Sequence, residues 1–130
     1  MTIRWRVGLS VFCLLLILSG CGAQETAQGY QSITPEAAYE ALNDEAADIL
    51  LLDVRTEKEY NEKHIPKSIL LPLNDLDKQA EALLPDKEAV IYVYCRSGSR
   101  SQKAAQWLAE AGYTQVYDLG GINSWPYETE

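Results

Sequence analysis

The chain has 130 residues, 47% hydrophobic and 23% charged, which suffices for one domain with its own core and is short for two. A formal charge of -8 argues against a phosphate-backbone binder, which needs clustered Lys and Arg, so nucleic acid is not an expected partner. Three cysteines and one histidine make neither a disulfide scaffold nor a four-ligand zinc site, and at least one thiol is left over.

Arg4 and Arg6 precede an apolar run of twelve residues, Val7 to Leu18. That run is too short for a hydrocarbon core needing about 20 residues, and it suits the h-region of a secretory signal. Leu18-Ser19-Gly20-Cys21 follows and resembles the lipobox of bacterial lipoproteins. The resemblance implies cleavage before Cys21, a diacylglyceryl group on its thiol, and a lipid-anchored domain in the cell envelope, outside the cytoplasm. A plain secretory signal or an uncleaved anchor is the alternative. Removing residues 1–20 leaves 110 residues and, with two arginines gone, shifts the charge from -8 to -10. Cys13 departs with the signal and Cys21 is blocked, which leaves Cys95 as the one free thiol. Residues 21–32 are polar, Gly-containing and aperiodic, as a flexible tether is, and residues 33–130 form the domain.

Thr34-Pro35-Glu36 places a hydroxyl cap, a first-turn proline and an acid ahead of a helix that runs to about Asn43. Ile49 to Val54 is an apolar run broken by Asp53, the pattern of a strand buried on both faces. A short charged helix over Glu57 to Lys63 ends at His64-Ile65-Pro66, because the residue before proline leaves the helical region. Ile69 to Leu71 then reads as a strand, and Leu73 to Leu84 as a helix stopped by Pro85. Ala89 to Tyr94 is the strongest strand signal in the chain and belongs at the sheet's centre. Ser99 to Ala111 is a helix with Ala104, Trp107, Leu108 and Ala111 on one face. Gln115 to Leu119 is the last strand, and Gly120-Gly121 turns the chain into a short closing helix over Ile122 to Trp125. Alternating strands and helices predict a three-layer α/β domain with a central parallel sheet flanked by helices. Chemistry in such sheets gathers at the carboxyl ends of the strands, where Cys95 lies.

Tyr94-Cys95-Arg96-Ser97-Gly98-Ser99-Arg100-Ser101 leaves that central strand and opens a helix. Successive backbone N–H groups can curve into a nest around Cys95, with Gly98 free to turn without a Cβ. The nest, the helix dipole and the cations Arg96 and Arg100 all favour the nucleophilic thiolate. Arg96, Arg100 and Lys103 make a positive mouth on an acidic body, suited to an anionic substrate.

With these residues in view the chain resembles a single-domain rhodanese, a sulfurtransferase. The likeness spans roughly Ile33 to Trp125 and rests on Asp53-Val54-Arg55, Glu59-Tyr60, His64-Ile65-Pro66, the Cys95 to Ser101 loop, and Leu119-Gly120-Gly121 with Trp125. It implies that Cys95 accepts sulfane sulfur from an anionic donor such as thiosulfate, becomes a persulfide, and passes the sulfur to cyanide or a thiol. Arg96 and Arg100 are candidates to hold the donor's oxyanion or to brace the loop, with Ser97, Gly98 and Ser99 as loop residues. Asp53 is expected to brace the loop by pairing with Arg100. A redox or sulfur-relay protein is a possible further partner, and no cofactor or metal is implied. The alternatives are a non-catalytic persulfide carrier or binding module and, further off, a phosphatase or arsenate reductase, which carry C-x5-R where this chain has C-x4-R. His64 reads as structural, with Lys63 and Lys67 standing where the family tends to have glycine. Arg55 reads as a salt-bridge partner of Glu59, and Trp125 either lines the site's rim or seals the domain.

Overall fold

The computed structural model describes residues 29–130. The signal read at 1–20, the lipidation site Cys21 and most of the tether lie outside the described residues. In chain order the elements are β1 (Gln31–Ser32), α1 (Pro35–Leu42), β2 (Ile49–Asp53), α2 (Glu57–Glu62) and β3 (Ile69–Leu70), then α3 (Leu76–Leu83), β4 (Val90–Cys95), α4 (Ser99–Glu110) and β5 (Gln115–Gly121). Single 3-10 turns precede α3 at Leu73–Asp75 and follow β5 at Ile122–Ser124.

All pairings are parallel, in the order β1-β5-β4-β2-β3, so β4 is central as its composition predicts. Five of its six residues are buried. Its alternation builds two cores at once. Ile91, Val93 and Cys95 join Ala104, Ala105 and Leu108 of α4 and Leu76 and Ala80 of α3 on one face. Tyr92 and Tyr94 join Ala38 of α1 with Ile65, Leu119 and Ile122 on the other. Helices thus cover both faces, which a parallel sheet requires. From β2 the chain crosses to β3 on one side, and from β4 to β5 on the other, so the strand order reverses between β2 and β4. The crevice at their carboxyl ends is where such sheets bind ligands.

Local signals explain the helix starts. Thr34 Oγ1 accepts the Ala37 N–H at 3.2 Å ahead of Pro35. Thr56 and Glu59 form a reciprocal capping box at α2. Two expectations change. Gln31 and Ser32, assigned above to the tether, pair with Tyr117 and Asp118 of β5 as the sheet's edge, since β5 otherwise leaves that side of its backbone open. Trp107, expected in the core, is half-buried at its margin. Among the described residues no helix is long and apolar enough to cross a membrane.

Candidate active site

Cys95 is the last residue of β4 and is 1% exposed. The chain then turns through Arg96 and Ser97 to Gly98, whose φ of 111° carries no steric penalty for glycine, and α4 begins at Ser99. That turn folds the Gly98 N–H back onto Cys95 Sγ at 3.0 Å. Burial pushes the thiol pKa up, but the Ser101 hydroxyl and the backbone N–H groups of Ser101, Gly98 and Ser97 outweigh it and hold it below the ordinary value. Ser101 is fully buried, and its hydroxyl donates to the Gly98 carbonyl at 3.0 Å. One proton thus faces two acceptors, and negative charge on sulfur draws it to Cys95. The loop N–H groups expected from the sequence to favour the thiolate do so by touching the sulfur, and the Ser101 hydroxyl joins them; Arg100, held on Glu59, acts on the thiolate through its charge alone.

The loop is held from outside by the end of β5. Asp118 Oδ1 accepts the Gly120 N–H at 2.9 Å, and a bulge lets Tyr94 pair with Gly120 and Cys95 with Gly121. Gly121 lies so close to the loop that a Cβ there would overlap the Arg96 carbonyl and come within 2.6 Å of Ser97 Cα. The Asn123 N–H donates to the Arg96 carbonyl at 3.2 Å. The Gly-Gly pair, read from sequence as a turn and as part of the family likeness, is therefore also the loop's backing. Ser101 and Gly121 are site-shaping residues that sequence reasoning did not single out.

The charged pairs correct the expected ones. Asp53 does not meet Arg100. Arg55 Nε lies 3.0 Å from both Asp53 oxygens and Arg55 Nη2 lies 2.7 Å from Oδ2. The Arg55 backbone N–H also reaches Oδ1, at 2.9 Å. The reason is reach: Asp53 is short and buried at the strand end, and the chain reverses there, bringing the Arg55 side chain back over it. Arg100 instead forks onto Glu59, Nη1 to Oε2 at 2.7 Å and Nη2 to Oε1 at 2.9 Å. Glu59, which also accepts from the Thr56 N–H and hydroxyl, is pulled down to about 2, chiefly by Arg100. The Thr56-x-x-Glu59 spacing was the available signal that Glu59 is fixed in place. Arg55 was expected to pair with Glu59; it pairs with Asp53 and with the Lys63 carbonyl at 2.7 Å.

Arg96 and Ser97 are exposed, as is Ser99. Arg96 forms no ion pair among the described residues and lines a cleft of about 130 Å³ with Arg55, Lys63 and Asn123. His64 stands apart as a structural group. Its ring stacks on Tyr60 at 3.8 Å, Nδ1 lies 2.9 Å from the Tyr60 carbonyl, and its backbone pairs with Glu130. Lys67 adopts φ 68°, so the lysine stands in a left-handed turn that glycine would occupy without strain. Trp125 packs edge-on to Tyr39 and Tyr127 and seals the α1 side rather than the rim of that cleft.

Fold and site together define a class: a parallel α/β domain that presents one cysteine, at the end of its central strand, inside a collar of backbone N–H groups. The chain belongs to the rhodanese family; the family model described as Rhodanese-like domain matches residues 34–127. The GlpE protein of Coxiella burnetii, named thiosulfate sulfurtransferase, is 37% identical over 97 residues, which are 74% of this chain and 87% of its own. The Bacillus subtilis protein YrkF is 34% identical over 113 residues, 84% of this chain, and the chain spans 60% of that relative's length. A rhodanese-related protein from Thermoplasma volcanium superposes with a TM-score of 0.68 at 30% identity, covering 78% of this chain and 98% of its own.

Proposed function

We propose that this domain is a sulfurtransferase that moves sulfane sulfur from an anionic donor to a thiophilic acceptor through a persulfide on Cys95. The Cys95 thiolate attacks the outer sulfur of thiosulfate, the new S–S bond forms as the donor's S–S bond breaks, and sulfite leaves with the electron pair. Cyanide or a thiol then attacks the outer sulfur of the persulfide, takes it, and returns Cys95 as thiolate. The sulfur that persists between the steps carries charge, which preorganised loop N–H groups favour. The observation that carries this reading is the Gly98 N–H on Cys95 Sγ at 3.0 Å inside a loop that holds the thiol pKa down. The name carried by GlpE points the same way.

The test is direct. The domain is incubated with thiosulfate, weighed intact, then given cyanide and assayed for thiocyanate. Wild type gains one sulfur atom and releases it as thiocyanate, and Cys95→Ser does neither. Equal product from Cys95→Ser and wild type overturns the reading. A persulfide that forms without turnover identifies a carrier, and aryl phosphate hydrolysis faster than sulfur transfer identifies a phosphatase. We propose separately, from the Leu18-Ser19-Gly20-Cys21 sequence, that the domain lies outside the cytoplasm, tethered by lipid on Cys21; fatty-acid labelling of wild type and not of Cys21→Ala is the expected result.

A further inference from the structure

Gly29 and Cys95 stand at opposite poles of the domain. Gly29 lies against Ala109, in the last turn of α4, where an added Cβ would come within 3.2 Å of the alanine's own. It also borders a groove with Thr114 and Gln115, where the chain enters β5. All five strands are parallel, and Gln115 is level with Val90, the first residue of β4. Gly29 is therefore at the amino ends of the strands. Cys95 closes β4 at the carboxyl ends, and the exposed Arg96 and Ser97 continue beyond it, away from Gly29.

Helix α4 runs from one pole to the other and sets the distance between them. Gly98 to Ala109 is 11 residues, about 16 Å at the helical rise of about 1.5 Å per residue. The reach of the chain before Gly29 is limited too. Cys21 to Gly29 is eight peptide steps, which span at most about 28 Å whatever their conformation. To turn the mouth above Cys95 onto a surface that holds Cys21, Gly29 must stand clear of that surface by the length of α4 and by the loop and side chains beyond it. The eight steps must then run nearly straight down the flank of the domain. With the amino ends toward the surface, the same steps are unconstrained. Charge is the weaker influence. Arg96 and Lys103 are exposed on the carboxyl side and Asp86, Glu88 and Glu110 on the amino side, which favours the inverted arrangement at an anionic surface. Straightening eight residues removes most of their conformational freedom, which outweighs what two exposed cations gain at a salt-screened surface.

We propose that the domain, on the lipid anchor proposed above for Cys21, stands with the amino ends of its strands toward the bilayer and the Cys95 mouth toward water. The partners of Cys95 are then water-soluble sulfur donors and acceptors, not thiols or persulfides confined to the membrane. The orientation rests on that anchor, and the sulfur chemistry of the partners rests on the sulfurtransferase reading.

The experiment separates these. The protein, expressed from its full chain with isotope labels, is placed in phosphatidylcholine nanodiscs that carry a gadolinium-chelating lipid, and paramagnetic relaxation of its backbone amides is measured. Glu88 and Thr114 report on the amino pole and Ser97 and Gly98 on the mouth. The rates at Glu88 and Thr114 are expected to exceed those at Ser97 and Gly98 at least about fivefold, because the effect falls with the sixth power of distance and the poles are about 16 Å apart. Inserting about 20 Gly and Ser residues after Gly22 extends the reach several times over, and the contrast then falls toward unity. The kcat/KM for thiosulfate is the same with and without the insertion. Equal rates at the two poles of wild type, or faster rates at the mouth, overturn the proposal. A contrast that survives the insertion overturns it too, since a surface contact and not reach then holds the domain. So does a severalfold rise in kcat/KM on insertion, since the bilayer then covers the mouth. Absence of fatty acid from Cys21 defeats the anchor and the orientation with it, and leaves the sulfurtransferase reading standing. The expected contrast without thiocyanate production supports the orientation and defeats the sulfurtransferase reading alone.

Discussion

Two arginine–carboxylate pairs sit at the top of the sheet, and they differ in almost every physical respect. Asp53 and Arg55 are two residues apart, with side chains 0% and 4% exposed, and they close a turn at the end of β2. Glu59 and Arg100 are 41 residues apart, 19% and 32% exposed, and they join α2 to the nucleophile's loop. The buried pair is a structural wall, because two charges out of water hold only while both partners stay. The half-exposed pair is a brace whose energy is small and whose geometry matters, since it ties the first turn of α4 to α2. Stability and positioning are thus assigned to different pairs.

Breaking the wall has the largest expected effect. Arg55→Ala leaves the Asp53 carboxylate buried without its partner and costs about 3–5 kcal/mol, read by denaturant unfolding. An effect below about 1 kcal/mol shows that the turn can open and hydrate Asp53. Gly121→Ala comes next and acts on the loop. Its Cβ collides with the Arg96 carbonyl, the collar of N–H groups shifts, and sulfur transfer falls on the order of a hundredfold while the fold persists by circular dichroism.

Removing the brace is milder and depends on pH. Glu59 has a folded pKa of about 2 against an ordinary 4.5, so it is the ionised form that the fold stabilises. Its contribution is present above pH 4.5 and is lost as pH falls toward 2. Glu59→Gln is expected to cost about 1–2 kcal/mol at pH 7, after solvent screening, and to converge with wild type near pH 2. Parallel stability curves across that window contradict the assigned role. The smallest change, Ser101→Ala, removes one donor from the thiolate's surroundings. The pH midpoint of Cys95 alkylation by iodoacetamide then rises, and activity at neutral pH drops severalfold with stability nearly unchanged.

The strand and helix pattern was legible because burial writes itself into composition. Ala89 to Tyr94 reads as a central strand, and Val90–Cys95 is one, with alternate side chains in two cores. Cys95, Gly98 and the start of α4 were equally legible, since glycine after a strand and ahead of a helix marks a tight backbone turn. The charge partners were not. Asp53, Arg55, Glu59 and Arg100 offer several pairings, and side-chain reach at the strand ends selects one of them. Gly121 was visible as a glycine but not as the surface against which the loop rests, because that contact depends on the bulge in β5.

By itself the sequence determined the layered parallel architecture, the position of Cys95 at a strand end, and the polarity of the loop around it. These follow from periodicity, turn chemistry and residue type, all local properties of the chain. Only the tertiary structure decided which arginine is spent and which is available. That choice depends on distances between residues up to 41 positions apart, which become fixed only when β2, β4 and α2 meet at one edge.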